Sequence, residues 1–260
     1  MNNVQKILKK LNNKYGIKNV STAIVCGSGL ADSIPDLDNK KVINYSDLKM
    51  PKSKVKGHSD SFIFGDLNGK KIMIISRKHF YESGDISKVR MPLEIANGLG
   101  VKTAILLTSS GGINKSFNVG DIMLIEDMIN LSGVNPLVGI DNIKFVDMTN
   151  CFDNTLRNKI NDICKSEEID LKCGTHVQMS GPSYETKAEI QMIKSLGGDT
   201  VSMSTVHDCI IANYYDMKVL GFSVIVNIFN DDNKKLSHQE VLANAQSVCK
   251  RLKKILISFI

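Results

Sequence analysis

The stretch SFIFGDLNGKKIMIIS, residues 61–76, decides the fold class once its surroundings are read with it. Two β-rich runs, 61–67 and 70–76, flank Asn68-Gly69, the dipeptide a type I′ turn prefers because both central positions need positive φ. This predicts a hairpin. Working outward, residues 87–99 read as a helix, and 103–108 as a buried strand running into Ser109-Ser110-Gly111-Gly112. On the other side, residues 20–26 read as a strand running into Gly27-Ser28-Gly29. A strand at 121–126, a helix near 153–168, a strand at 174–179, helices at 187–196 and 206–215, a strand at 218–226 and a last helix from His238 continue the pattern. Such alternation indicates an α/β fold with a central mixed sheet flanked by helices. No repeat or linker cuts the chain, so a single domain over 1–260 is expected. Ligands then sit beyond the carboxyl ends of the strands.

Composition removes several function classes. Of 260 residues, 42% are hydrophobic and 23% charged, and the apolar runs break well before the roughly 18–20 residues of a membrane span. The first fifteen residues mix Lys and Asn with apolar residues at helical spacing, unlike a signal peptide, so a cytoplasmic location is expected. Six scattered cysteines without a CxxC pair fit reduced thiols and no zinc site. The net charge of +6 comes from lysines spread among acidic residues, and with no Trp and 6% aromatics a nucleic-acid partner is not expected.

Several segments carry chemistry. Gly27-Ser28-Gly29-Leu30 follows a strand, and its amides and hydroxyl suit a phosphate, although Asp32 stands where a dinucleotide fingerprint needs glycine. Extended backbone through Arg77-Lys78-His79-Phe80-Tyr81-Glu82 would send Arg77, His79 and Tyr81 to one side, bringing a guanidinium, an imidazole and a phenol together. Taken alone, this segment reads more simply as an exposed charged strand end. Thr186-x-x-Glu189 and Ser237-x-x-Glu240 fit the capping box and Thr205-x-x-Asp208 a looser version. Tyr184, Glu185, Ser204 and His238 therefore fall at helix starts, where Ser204 can meet an anion with the helix dipole behind it. Tyr184, Glu185 and Asn227 together suit a heteroaromatic base, one stacking and two hydrogen-bonding. Each of these also has a plain structural reading, as a turn, a cap or solvated surface.

The motifs Gly27-Ser28-Gly29-Leu30, Gly57-His58-Ser59, Arg77-x-His79-x-Tyr81-Glu82, Gly111-Gly112-Ile113-Asn114, Gly120-Asp121-Ile122-Met123, Asn135-Pro136-Leu137, Gly181-Pro182-Ser183-Tyr184-Glu185-Thr186, Met203-Ser204-Thr205 and His238-x-Glu240-Val241 occur in one order from about 23 to 242. In that order the chain resembles the trimeric purine nucleoside phosphorylases. The resemblance implies a homotrimer that phosphorolyses inosine, guanosine and their 2′-deoxy forms to free purine and (deoxy)ribose 1-phosphate, with phosphate as co-substrate and no cofactor or metal. It assigns Ser28, Arg77, His79, Ser109 and Ser204 to phosphate, and Tyr81, Met203 and His238 to ribose. Tyr184, Glu185 and Asn227 go to the base, with Asn227, Glu185 and His79 as the catalytic groups and His58 on a gating loop. Phe145 matches an aromatic that reaches a neighbouring subunit's ribose.

Departures from the family pattern are Val226 and Ile228 around Asn227, where relatives carry a hydroxyl residue and in some cases Lys, His207 in place of Pro, Ser202 in place of Gly, and Ser83 before Gly84. Two other readings accompany the main one: a methylthioadenosine phosphorylase, which favours an apolar residue at the His238 position, and a purine-binding relative without catalysis.

Overall fold

The computed structural model describes residues 3–53, 59–229 and 238–260, without the side chains of His238, Gln239 and Val241. Its elements are α1 (Asn3–Tyr15), β1 (Thr22–Cys26), β2 (Asp38–Asn44), β3 (Ser61–Leu67), β4 (Lys70–Ser76), α2 (Ile86–Gly98), β5 (Thr103–Gly112), β6 (Ile122–Asn130), α3 (Asn154–Ser166), β7 (Leu171–Gln178), α4 (Lys187–Ser195), β8 (Thr200–Ser202), α5 (Val206–Tyr214), β9 (Lys218–Ile228) and α6 (His238–Phe259). Asn68 and Gly69 take φ of 49° and 74°, and β3 and β4 pair antiparallel from Leu67↔Lys70 outward. The hairpin is as the dipeptide predicts.

From that hairpin the sheet grows in mixed sense. β4 pairs parallel with β1, β1 with β5, and β5 with β9, while β2 adds antiparallel to β3. β5 also pairs with β8, and β8 continues through β7 and β6 back to β9, so these five strands close into a ring. Thr200 on β8 touches the Met123 sulfur on β6 at 4.0 Å. Since β7 lies between those strands, this contact crosses the ring interior.

Period-2 alternation in the central strands serves both faces. Ala23, Val25, Met73, Ile75, Ala104 and Leu106 pack with Ile7 and Leu11 of α1, Val89 and Leu93 of α2 and Ile211 of α5. Ile24, Ile72, Ile74, Ile105 and Leu107 face Ile160 of α3 and Ala245, Val248, Leu252 and Leu256 of α6. Burying each such side chain contributes about 1.5–3 kcal/mol. Helices therefore cover both faces, and the strand ends are left as the open place for a ligand. Among the described residues no helix is long and apolar enough to cross a membrane, and all six cysteines are free.

Two strands escape the sequence pattern and three local expectations need correction. β2 was not anticipated, because as an edge strand it buries only Ile43 and carries no alternating apolar signal. β8 was not anticipated either, being three residues long. The strand expected to end at 108 continues to Gly112 as the paired end of β5, and extended backbone stops at His79, since Phe80–Glu82 forms a 3₁₀ turn. Finally, the Thr205-x-x-Asp208 cap does not form. Thr205 takes φ 86° and ψ −46° without a side-chain cap bond, and Asp208 is drawn away to Arg77. At α4, by contrast, Thr186 and Glu189 make both bonds of the capping box, at 3.2 and 2.6 Å.

Candidate active site

One end of the site is built on a buried cation. Arg77 leaves β4 with only 1% of its surface exposed, the opposite of a charged strand end in water. A buried guanidinium needs a partner, and Asp208 on α5 supplies one, accepting from Nε at 2.7 Å. Burial raises the Asp208 carboxyl, and Arg77 opposes the rise. The Arg77 Nη1 group donates to the Leu107 carbonyl at 2.8 Å and to Ser204 Oγ at 3.2 Å. It also lies against Gly27, where a Cβ would stand 3.1 Å from Nη1 and 2.8 Å from the Leu107 oxygen. Glycine at 27 thus lets the loop carrying Ser28 settle directly on the guanidinium. Ser109 ties the same loop to β5 by donating to the Ser28 carbonyl at 2.8 Å.

His79 is buried beside this group. Its backbone N–H donates to Glu82 at 2.8 Å, its Nδ1 lies 3.2 Å from the same carboxylate, and its ring stacks on Tyr81 with centroids 4.9 Å apart. The 3₁₀ turn therefore brings Tyr81 back over His79, joining the two side chains by a route other than strand alternation. Burial lifts the Tyr81 phenol to about 12, so it faces any ligand as a neutral hydroxyl.

The other end lies where β5 and β9 stop. A bulge at Val226 breaks the ladder, so that Ser110 pairs with Ile225 but Gly111 with Asn227. A Cβ at Gly111 would stand 2.2 Å from the Phe229 ring and 3.0 Å from Asn227 Nδ2, so glycine here admits both side chains. Asn227 Nδ2 is buried without a hydrogen-bond partner among the described residues. Such a donor is costly to leave unmade and is a natural place for a ligand acceptor. Glu185 is half-buried, and desolvation raises its carboxyl, with Glu189 adding to the rise. Tyr184 beside it is 43% exposed.

A cavity of about 360 Å³ joins the two ends. Ser28, His79, Tyr81, Ser109, Tyr184, Glu185, Met203, Ser204 and Asn227 all line it. Arg77 stands behind Ser204 rather than in the wall. Phe145 is not brought to the cavity: it is 98% exposed on the chain between β6 and α3. His58, the side chain of His238 and Ser237 lie outside what is described. Sequence reasoning missed Asp208, read as a cap, and Phe229, whose only signal is its place two residues after Asn227. It also missed Thr108, which meets Ser204 Oγ at 3.4 Å. Among the described residues no group of three or more His, Cys, Asp or Glu side chains is placed to hold a metal ion.

Fold and cavity find their counterpart in a known family. The model of the phosphorylase superfamily matches residues 21–260. The chain is 38% identical over 244 residues to the purine nucleoside phosphorylase of Rattus norvegicus, covering 88% of this chain and 84% of that one. It is 36% identical over 232 residues to purine nucleoside phosphorylase 1 of Bacillus subtilis, covering 86% of each. The crystal structure of Schistosoma mansoni purine nucleoside phosphorylase in complex with inosine superposes with a TM-score of 0.91 at 28% identity, over 99% of this chain and 95% of that one. The chain belongs to the phosphorylase superfamily, and within it to the purine nucleoside phosphorylases.

Proposed function

We propose that this chain cleaves 6-oxopurine nucleosides such as inosine and guanosine with inorganic phosphate, giving the free base and ribose 1-phosphate. The observation that carries the reading is Asn227 Nδ2, buried and without a partner among the described residues, in the cavity that Glu185 and Ser204 also line. In the reaction a phosphate oxygen bonds to C1′ while the C1′–N9 bond breaks and its electron pair leaves with the purine. Positive charge builds on the ribose and negative charge on the base. Phosphate held by Ser28, His79, Ser109 and Ser204, with Arg77 behind them, answers the first. Asn227 Nδ2 answers the second by donating to N7, while the Glu185 carboxylate accepts from N1–H. A preorganised donor of this kind contributes roughly 3–4 kcal/mol, or about 10²–10³ in rate, because its bond strengthens as charge develops. Tyr81 and Met203 face the ribose, with His238 serving the 5′-hydroxyl and His58 on the loop that gates entry.

Phosphate is the co-substrate, and no cofactor takes part. The exposed Phe145 fits a homotrimer in which it completes a neighbour's ribose site, and the free thiols suit a reducing cytoplasm. The test is to incubate the protein with inosine, guanosine, adenosine or methylthioadenosine, with and without phosphate, and follow free base. Phosphate-dependent release of hypoxanthine and guanine is expected. Turnover of methylthioadenosine alone, or base binding without turnover, would replace this reading.

A further inference from the structure

Thr205 is a β-branched residue at φ 86°, a conformation such residues adopt only when their surroundings hold them there. The preceding Ser204 is gripped by one hydroxyl. Ser202 Oγ accepts from the Ser204 N–H at 3.2 Å and lies 3.1 Å from the Ser204 carbonyl oxygen. Behind Ser202 stands His176, fully buried on β7. Its Nε2 is 3.0 Å from Ser202 Oγ and 3.4 Å from the Ser204 carbonyl, and its Nδ1 is 2.9 Å from Thr200 Oγ1. Burial pushes this imidazole down to about 3. It is therefore neutral, with one N–H and one lone pair to place between the flanking hydroxyls. On the cavity side, Thr108 Oγ1 is 3.4 Å from both Ser202 Oγ and Ser204 Oγ, and Ser204 Oγ accepts from Arg77. The bonds enclose the corner from β8 into α5.

We propose that His176 and Ser202 are positioning residues for the phosphate site, holding the strained Ser204–Thr205 corner so that the Ser204 hydroxyl is presented to the anion. This rests on the phosphate-binding part of the proposed function and names what supports that end of the cavity. Ser202 lines the cavity beside Ser204 while His176 stands behind it, and none of the bonds described joins either side chain to Glu185 or Asn227, so their loss is expected to separate the two substrates. Without the Ser202 hydroxyl, the corner's N–H, its carbonyl and the His176 nitrogen all lose a shared partner. The corner then relaxes toward an unstrained conformation.

The test uses Ser202→Ala, His176→Phe and the double variant, read in two ways. Phosphate-induced thermal stabilisation, titrated without nucleoside, requires no turnover. Steady-state kinetics then give KM for each substrate with the other saturating. Ser202→Ala is expected to weaken phosphate in both readouts by about five- to tenfold while nucleoside KM stays within about twofold. The double variant should be no worse than about twofold beyond the poorer single one, since both side chains act through one network. Where His176→Phe fails to fold, Ser202→Ala decides alone. Phosphate affinity within twofold of wild type in that variant, or equal weakening of both substrates, overturns the proposal. A wild-type protein that is stabilised by phosphate but releases no base overturns the phosphorolysis reading and leaves this one standing.

Discussion

The two ends of the cavity are built on opposite principles. At the end proposed for phosphate, the anion end, charged and polar groups are already bonded to one another: Arg77 to Asp208, Leu107 and Ser204, and Ser204 to Ser202 and Thr108. At the end proposed for the purine, the base end, they are left open. Asn227 Nδ2 has no partner among the described residues, Tyr184 is 43% exposed, and Glu185 sits half-buried in a turn before α4. A site for a small, strongly hydrated anion must replace water with dipoles already in place, which requires interior support. A flat heteroaromatic base brings its own apolar area and hydrogen-bonding edge, so its site can stay incomplete until it arrives. Stability and activity are therefore coupled at one end and separable at the other.

The strongest break in the comparison is Asp208→Ala. It leaves a buried guanidinium without its counter-charge, so stability should fall by about 3–5 kcal/mol, and phosphate binding should fall with it. Chemical denaturation and phosphate-dependent turnover check both. A variant of native stability would mean that Arg77 finds its compensation elsewhere. At the base end Asn227→Ala should do the reverse. kcat should drop about 10²–10³-fold, while stability changes by less than about 1 kcal/mol because Nδ2 makes no bond among the described residues. A stability loss as large as that of Asp208→Ala would erase the distinction.

Gly111→Ala sharpens the contrast within the base end. The added methyl meets the Phe229 ring first, at 2.2 Å, and Asn227 Nδ2 next, at 3.0 Å. Phe229 must turn away, and the amide it packs beside loses its fixed position. Nucleoside KM should rise about tenfold with phosphate KM unchanged, measured by varying each substrate at saturation of the other. Equal change in both would show that the two ends share more framework than their hydrogen bonds indicate.

The same contrast explains what was legible in the sequence. The hairpin, the central strands and the helices follow from turn chemistry and period, because those segments bury an apolar pattern. β2 and β8 do not, since one is a charged edge and the other too short to hold a period. Ser28, His79, Ser204 and Asn227 are found at strand ends and helix starts, where local sequence marks them. Asp208 is not, because the signal it carries locally, an acidic residue in a first helical turn, is that of a cap. Its actual partner is 131 residues away. Interior support for a site is a tertiary property: nothing local marked His176, and Ser202 stood out only as a departure from the family pattern. The end proposed for the base, whose candidate residues stand at a strand end and before a helix start, was the more legible of the two.

The finest test of the contrast is the pH dependence of Glu185. Desolvation is the main cause of its raised carboxyl, so the native protein holds its proton to higher pH than the unfolded chain does. The native state therefore binds more protons than the unfolded state between the ordinary and the raised value, and the stability contributed by this group is lost as pH rises through that window. Accepting from N1–H requires the ionised carboxylate, so inosine affinity should strengthen over the same window. KM for inosine should accordingly fall as pH rises past the ordinary glutamate range, with the midpoint above that of an exposed glutamate. In Glu185→Gln this dependence should vanish, and kcat/KM should fall at least about tenfold at neutral pH because a buried acceptor pair is mismatched. Phosphate KM in the variant should keep the wild-type pH profile, since none of the bonds described at the anion end passes through Glu185. If the profiles for inosine and phosphate shift together, the two ends titrate as one site and their separation fails.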